Sequence, residues 1–162
     1  NHVKKVFECG IGTGNPMFAN NMGPDARPGS SLRAWRDYFP NALIFGADID
    51  RDVLFEEERI KTFFVDQTSP TSIKQLWEHV GTADFDLIID DGYHIFKAGI
   101  CLFENSFEKL APNGIYIIED VQIRALIEYQ KYFTLGNFRF EIVNLYRPGT
   151  TLKDNTMIVV RR

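Results

Sequence analysis

Several things are scarce in this sequence, and each scarcity closes off a class of protein. Its 162 residues include two cysteines, Cys9 and Cys101, too few for a disulfide framework and wrongly spaced for a thiolate metal site. Both read as free thiols, Cys9 in an early strand and Cys101 in a helix. No apolar run reaches the roughly 18–20 residues of a membrane span, and no charged segment followed by an apolar one marks the start as a secretory leader. The expected location is cytoplasmic. Positive charge is not in excess: 18 Lys and Arg against 22 Asp and Glu leave a net charge of −4, and the basic residues are scattered rather than gathered in a stripe. Nucleic acid is therefore not an expected partner. A starting methionine is absent as well, and the chain enters a strand almost at once after Asn1, which points to residues upstream of those given.

What is present is enough apolar material for one core. A hydrophobic content of 44% suits a single globular domain over residues 1–162. Short apolar, β-rich runs at 5–9, 42–47, 62–65, 85–89, 115–118, 140–145 and 157–160 predict seven strands. Between them, Leu32, Trp35 and Phe39 mark one helical stripe with Ser30 at its start, and Ile73, Leu76, Trp77 and Val80 mark a second, capped by Ser69 with Pro70 at its first position. Phe96, Ile100, Phe103, Phe107 and Leu110 form a third that stops before Pro112-Asn113-Gly114, and a fourth helix is expected over about 122–133. A short helix after Asp50, over 51–58, is also expected. The alternation predicts an α/β, Rossmann-like fold: a mostly parallel sheet with one antiparallel strand and helices on both faces.

One stretch breaks this rhythm. Residues 13–29, rich in Gly, Pro and Asn, separate the first strand from the first helix, and connections longer than about 12–15 residues are uncommon in compact domains unless they serve a function. A lid or substrate-contacting loop and a tolerated surface insertion are both open readings.

Candidate chemistry clusters at the ends of the expected strands, where open α/β sheets bind their ligands. Glu8-Cys9-Gly10-Ile11-Gly12 puts glycines directly after the first strand, where backbone must approach a cofactor closely. A ribose-binding acid is expected about 20 positions past such a turn. Asp48 lies 19 positions past Gly29, so the spacing works if 13–29 is looped out and Gly29-Ser30-Ser31 completes the turn. Asp50 competes for that role, although it also suits a helix cap. The densest cluster is Asp90-Asp91-Gly92-Tyr93-His94, followed by Glu119-Asp120 after the next strand. Like charges converging on one crevice are costly unless a cation neutralises them.

Glu8-x-Gly10-x-Gly12, the acids after the second and third strands and the seven-strand tally resemble class I S-adenosylmethionine-dependent methyltransferases. Gly29 to Phe39 (GSSLRAWRDYF), Asp66-Gln67-Thr68, Asp90-Asp91-Gly92-x-His94 and Ile118-Glu119-Asp120 are similar to the macrolide-sugar O-methyltransferases of the tylosin and mycinamicin type. A cephalosporin hydroxylase-like group shares part of the pattern. The resemblance implies that Glu8, Gly10 and Ser30 lie along the methionine moiety of the cofactor, that Gly12 belongs to the same cofactor-binding turn, that Asp48 binds the ribose diol, that Asp66 and Gln67 border the adenine, and that Asp90 faces the methionine ammonium. Asp66 also suits ordinary turn chemistry at a helix entry.

The resemblance further implies a magnesium ion on Asp91, Glu119 and Asp120, or on Asp91 and Asp120 alone, whose hard oxygen donors suit that metal. It implies His94 as the general base, since a neutral imidazole can accept the proton of an acceptor hydroxyl. The competing role for Asp120 is the cap of the following helix. His2 and His79 have no such setting. Tyr93 stands where a small serine is usual, and the 13–29 loop is longer than in the antibiotic enzymes, so the implied acceptor is a small-molecule sugar or a sugar unit of a polysaccharide or other glycoconjugate. The family also implies a homo-oligomer.

Two other readings share part of this pattern. A nicotinamide-dependent oxidoreductase uses the same glycine turn and ribose acid, yet the glycines here do not follow GxGxxG and the acidic set would be idle. A non-catalytic cofactor-binding scaffold would have no need of His94. An iron hydroxylase would require two histidines beside a carboxylate, and only His94 is placed for it.

Overall fold

The computed structural model describes residues 2–145 and 155–162. In chain order its elements are β1 (Lys5–Cys9), α1 (Ser30–Tyr38), β2 (Leu43–Asp48), β3 (Glu56–Glu57), β4 (Ile60–Phe64), α2 (Pro70–Val80), β5 (Phe85–Asp90), α3 (Phe96–Ser106), β6 (Leu110–Ile118), α4 (Ile123–Leu135), β7 (Arg139–Asn144) and β8 (Thr156–Arg161). They build one sheet of eight strands in the order β3-β4-β2-β1-β5-β6-β8-β7. β4, β2, β1, β5 and β6 run parallel. β8 lies antiparallel to both of its neighbours, β6 and β7.

The expected seven strands are present, and the eighth corrects that count. It is the two-residue β3, which pairs antiparallel to β4 with Glu56 opposite Lys61 and Glu57 opposite Ile60. The helix expected over 51–58 is likewise replaced: Asp50 does accept from the Asp52 backbone N–H, at 3.0 Å, but what it caps is a 3-10 turn, Arg51–Val53. Two acidic residues carry no apolar alternation, so nothing in the sequence marks β3 as a strand.

Side-chain alternation along the strands builds a core on each face of the sheet. Phe7, Phe45 and Ile88 face α2, α3 and α4, while Val6, Ile44 and Ile89 pack with Leu32 of α1 and with Phe39 just past its end. Successive strand residues point to opposite faces, so parallel strands buried on both sides read as near-continuous apolar runs. The larger core is aromatic. Phe7 meets Trp77 at 4.7 Å between ring centroids, and Phe103 meets Tyr116 edge-on at 5.1 Å. Such pairs contribute about 0.5–1.5 kcal/mol each beyond their burial.

Helix starts follow sequence chemistry in one case and depart from it in others. Ser69 caps α2, accepting from the Ser72 N–H at 3.3 Å, with Pro70 at the first position. α1 is preceded by Gly29 in the left-handed region, and Ser30 is its first helical residue rather than its cap. α3 ends at Ser106, before Leu110, and Pro112-Asn113-Gly114 sits inside β6, where the register against β5 jumps from Phe85 opposite Leu110 to Leu87 opposite Ile115. That triplet makes a bulge within a strand, the other common use of turn residues beside a sheet.

The order of strands determines where a ligand can bind. β1 is flanked by β2 on one side and β5 on the other, so the chain reverses its direction of winding there, and a crevice opens at the carboxyl ends of these strands.

Candidate active site

The glycine turn after β1 is built around Gly10. Its φ of 89° is a left-handed conformation that favours glycine, and a side chain there would run into the Asp91 carbonyl. Gly10 donates to Ala47 O at 2.8 Å while Asp91 N donates to Cys9 O at 2.9 Å, so the ends of β2, β1 and β5 are tied together. The Gly29 N–H then returns to Ile11 O at 2.7 Å. Residues 13–29 are thereby looped out, and Gly29-Ser30-Ser31 completes the turn at the start of α1.

Asp48, at the end of β2, is buried and holds this turn: its Oδ2 accepts from the Ile11 N–H at 2.9 Å and its Oδ1 from the Asp50 N–H at 2.9 Å. Each carboxylate oxygen keeps a second lone pair for a ribose hydroxyl. Asp50 is buried too, with its oxygens on Thr13 Oγ1 and the Asp52 N–H, and it does not line the cavity described next.

A cavity of about 930 Å³ fills the crevice, a size suited to a nucleoside-sized ligand with an acceptor beside it. Gly10, Gly12, Ser30, Asp48, Asp66 and Gln67 line it, and so do Asp91, His94 and Asp120. The 13–29 loop contributes Met17, Phe18, Asn20 and Met22 to the same wall. Asn20 donates from Nδ2 to the Tyr93 carbonyl at 2.7 Å, a contact that no spacing in the sequence announces.

Three of the expected site residues are placed differently. Glu8 does not line the cavity; it is buried, with Ser31 donating to one carboxylate oxygen and Trp35 Nε1 to the other at 2.6 Å. Asp90 turns inward, where its Oδ1 accepts from Gln67 Nε2 at 2.6 Å and from the Gly92 N–H at 3.3 Å. Glu119 lines a smaller cleft with Asp90, His94 and Tyr129 instead. Glu8, next to last in β1, and Asp90, last in β5, face opposite sides of the sheet, Glu8 toward α1 and Asp90 toward Gln67. The sequence signals their position at the strand ends but not which way each side chain faces.

Gln67 lines the cavity, yet its amide is engaged by protein at both ends. Its Oε1 accepts from the Tyr93 N–H at 2.9 Å while Nε2 donates to Asp90. Asp66 accepts through Oδ1 from the N–H and hydroxyl of Thr68 at 2.9 and 2.7 Å, as a turn residue does, while also facing the cavity.

The cluster differs from the expected trio in one respect: Asp91, His94 and Asp120 each offer one potential ligand atom, all within 4.8 Å of one another. His94 joins the group in place of Glu119. Both His94 and Asp120 have positive φ, 55° and 48°, which aims their side chains from tight turns. Asp120 does not cap α4, whose N-terminal position is Gln122 with no side-chain cap.

Burial pushes the Asp91 carboxyl up to about 8, and Glu119, Glu8, Asp120 and Asp90 add to the shift by repulsion. Burial likewise raises Glu8 to about 7, against the hydrogen bonds from Ser31 and Trp35, and Asp90 to about 6, against those from Gly92 and Gln67. A cluster that resists ionisation by itself is one that a divalent cation would relieve. Two carboxylates and an imidazole therefore fit a cation, and the carboxylate oxygens suit magnesium.

A parallel sheet wound this way, with an antiparallel strand inserted next to its last, a glycine turn after β1 and a carboxylate after β2, is the class I S-adenosylmethionine-dependent methyltransferase fold. The all-parallel order of dinucleotide-binding dehydrogenases lacks the β8 insertion. No family model matches the chain. Over 122 residues, 75% of its length, it is 40% identical to demethylmacrocin O-methyltransferase of Streptomyces fradiae. Over 117 residues, 72% of its length, it is 38% identical to 8-demethyl-8-alpha-L-rhamnosyl tetracenomycin-C 2'-O-methyltransferase of Streptomyces olivaceus. The chain spans 28% of the length of each of these relatives. The MycE methyltransferase of the mycinamycin biosynthetic pathway, solved with Mg, S-adenosylhomocysteine and mycinamycin VI, matches 99% of this chain with a TM-score of 0.64 and 25% identity, the match covering 45% of that structure. The chain thus has the class I methyltransferase fold and resembles the macrolide-sugar O-methyltransferases. Nothing among these relatives supports a polysaccharide acceptor. Among the described residues no helix is long and apolar enough to cross a membrane.

Proposed function

We propose that the chain is a single S-adenosylmethionine-binding domain of an O-methyltransferase, assisted by magnesium, whose acceptor is a hydroxyl of a sugar on a small molecule. The observation that carries this reading is the sharing of one cavity wall by the glycine turn, Asp48 and the Asp91, His94 and Asp120 cluster. Relatives named for methylating sugar hydroxyls of antibiotics support the acceptor class.

In this reading Gly10 and Gly12 let backbone pass close to the cofactor, Ser30 faces its methionine end, Asp48 receives the ribose hydroxyls and Asp66 borders the adenine. S-adenosylmethionine supplies an electrophilic methyl group. Asp91 and Asp120 would hold the magnesium ion, which supplies Lewis acidity at the acceptor hydroxyl. His94 accepts the proton that this hydroxyl loses, and the cavity wall aligns the acceptor with the methyl group, the source of much of the rate in such transfers.

The cluster geometry favours a second role for His94, that of a ligand, because its ring nitrogen lies within the same 4.8 Å group as the two carboxylates. His94→Ala separates the two. A base is required for transfer and dispensable for divalent binding; a ligand is required for both.

The test of the function itself is methyl transfer from radiolabelled S-adenosylmethionine to demethylmacrocin and to rhamnosylated tetracenomycin, with and without Mg2+. Label appearing in a sugar methoxy group, and falling strongly on chelation, supports the reading. A folded protein that binds no S-adenosylhomocysteine refutes it.

A further inference from the structure

We propose that Gln67 is a positioning residue: it braces the Gly92–His94 turn that carries the site's histidine, and it does not read the adenine. The proposal rests on the methyltransferase reading for what the turn does, and on geometry alone for how the turn is held.

Gln67 lies between β4 and α2 and is 6% exposed. Its side chain crosses to the end of β5 and takes hold of the chain on both sides of Asp91, donating to Asp90 Oδ1 at 2.6 Å and accepting from the Tyr93 N–H at 2.9 Å. A primary amide paired in this way is anchored by protein before any ligand arrives, with one N–H and one oxygen lone pair left over. Its two contacts fix the plane of the amide from the protein side, so the side chain is held by the turn whether or not a ligand lies in the cavity.

The fit around it is close. A side chain at position 92 would collide with Gln67 Oε1, so Gly92 is the residue that admits the brace. Asp90 Oδ1 also receives the Gly92 N–H at 3.3 Å, making Asp90 and Gln67 one hydrogen-bonded unit under the turn. Asn20, from the 13–29 loop, donates to the carbonyls of Tyr93 at 2.7 Å and Gly92 at 3.4 Å. The Tyr93 backbone is thereby held at its N–H by Gln67 and at its C=O by Asn20.

The next residue explains why such holding is needed. His94 adopts φ of 55°, a left-handed conformation uncommon outside glycine although histidine tolerates it better than most residues, and conformations of this kind persist where the surroundings hold them. Without the Gln67 contact the turn can relax toward ordinary φ, and the side chains of Asp91 and His94 move apart from Asp120.

Three measurements on Gln67→Ala test this. Amide exchange at Tyr93 should accelerate at least tenfold relative to wild type, while strand amides in β1 and β5 keep their protection. Mn2+ affinity, followed by electron paramagnetic resonance, should fall at least fivefold. The Kd for S-adenosylhomocysteine should stay within threefold. Unchanged Tyr93 exchange overturns the brace, and so does unchanged Mn2+ affinity. A tenfold loss of S-adenosylhomocysteine affinity overturns it in favour of the adenine contact. If wild type binds neither probe, the functional reading fails, and Tyr93 exchange still decides whether the brace exists.

Discussion

His94 Nε2 stands 3.9 Å from Asp91 Oδ1, three positions apart on one turn, with the two side chains 20% and 37% exposed. That separation is too long for a hydrogen bond and suits two groups facing a shared third partner. Asp91, raised to about 8 by burial and by its acidic neighbours, must give up its proton to bind a cation. Divalent affinity should therefore climb with pH, by up to about tenfold per unit between pH 6 and 8, and level off above. Calorimetry of Mg2+ at pH 6, 7, 8 and 9 checks it, and a flat profile would remove Asp91 from the ligand set.

The same shift predicts how the metal-free protein responds to pH. A carboxyl raised from 3.8 to about 8 in the folded chain costs no stability below its unfolded value, and the folded state loses ground as pH rises through about 8. Glu8, raised to about 7, and Asp90, raised to about 6, act in the same direction. Thermal melts in EDTA should show Tm falling from pH 5 to 9. Asp91→Asn should flatten the upper part of that fall, and saturating Mg2+ should restore Tm most at alkaline pH.

Gly10→Ala should abolish cofactor binding. The substitution meets φ of 89° and the Asp91 carbonyl together, and forcing a non-glycine residue into the left-handed region costs about 1–2 kcal/mol before any clash is counted. The chain should fold with a lowered Tm and show no heat with S-adenosylhomocysteine at concentrations that saturate wild type.

Tyr116→Phe should stabilise the protein. Tyr116 is fully buried and its hydroxyl has no hydrogen-bond partner among the described residues, while its ring packs edge-on against Phe103. An unsatisfied buried hydroxyl costs about 1–3 kcal/mol, so removing it should raise Tm by roughly 2–4 °C per kcal/mol recovered. A lower Tm in the variant would mean that the hydroxyl is satisfied in solution.

Much of the architecture is legible because parallel strands buried on both faces are short apolar runs, and runs such as Lys5–Cys9 and Phe85–Asp90 are flanked by turn chemistry and separated by helical stripes. The looped-out connection is legible as well, since only that geometry brings Gly29 and Asp48 into the expected spacing. Burial direction is harder to read. Glu8 and Asp90 are acids at the strand ends, as Asp48 and Asp91 are, and the choice between cavity and core depends on which neighbouring segment supplies donors: Trp35 and Ser31 of α1 for one, Gln67 of the β4–α2 connection for the other. β3 and the bulge at Pro112-Asn113-Gly114 are invisible for a related reason. Pairing across strands, rather than local preference, decides both.

The central claim is tested most directly by titrating S-adenosylhomocysteine into wild type and into the Asp91→Asn/Asp120→Asn double variant, each with and without Mg2+. The account predicts binding in the micromolar range for both proteins and a Mg2+ heat that the double variant loses. A folded wild-type protein that takes up no S-adenosylhomocysteine would contradict it.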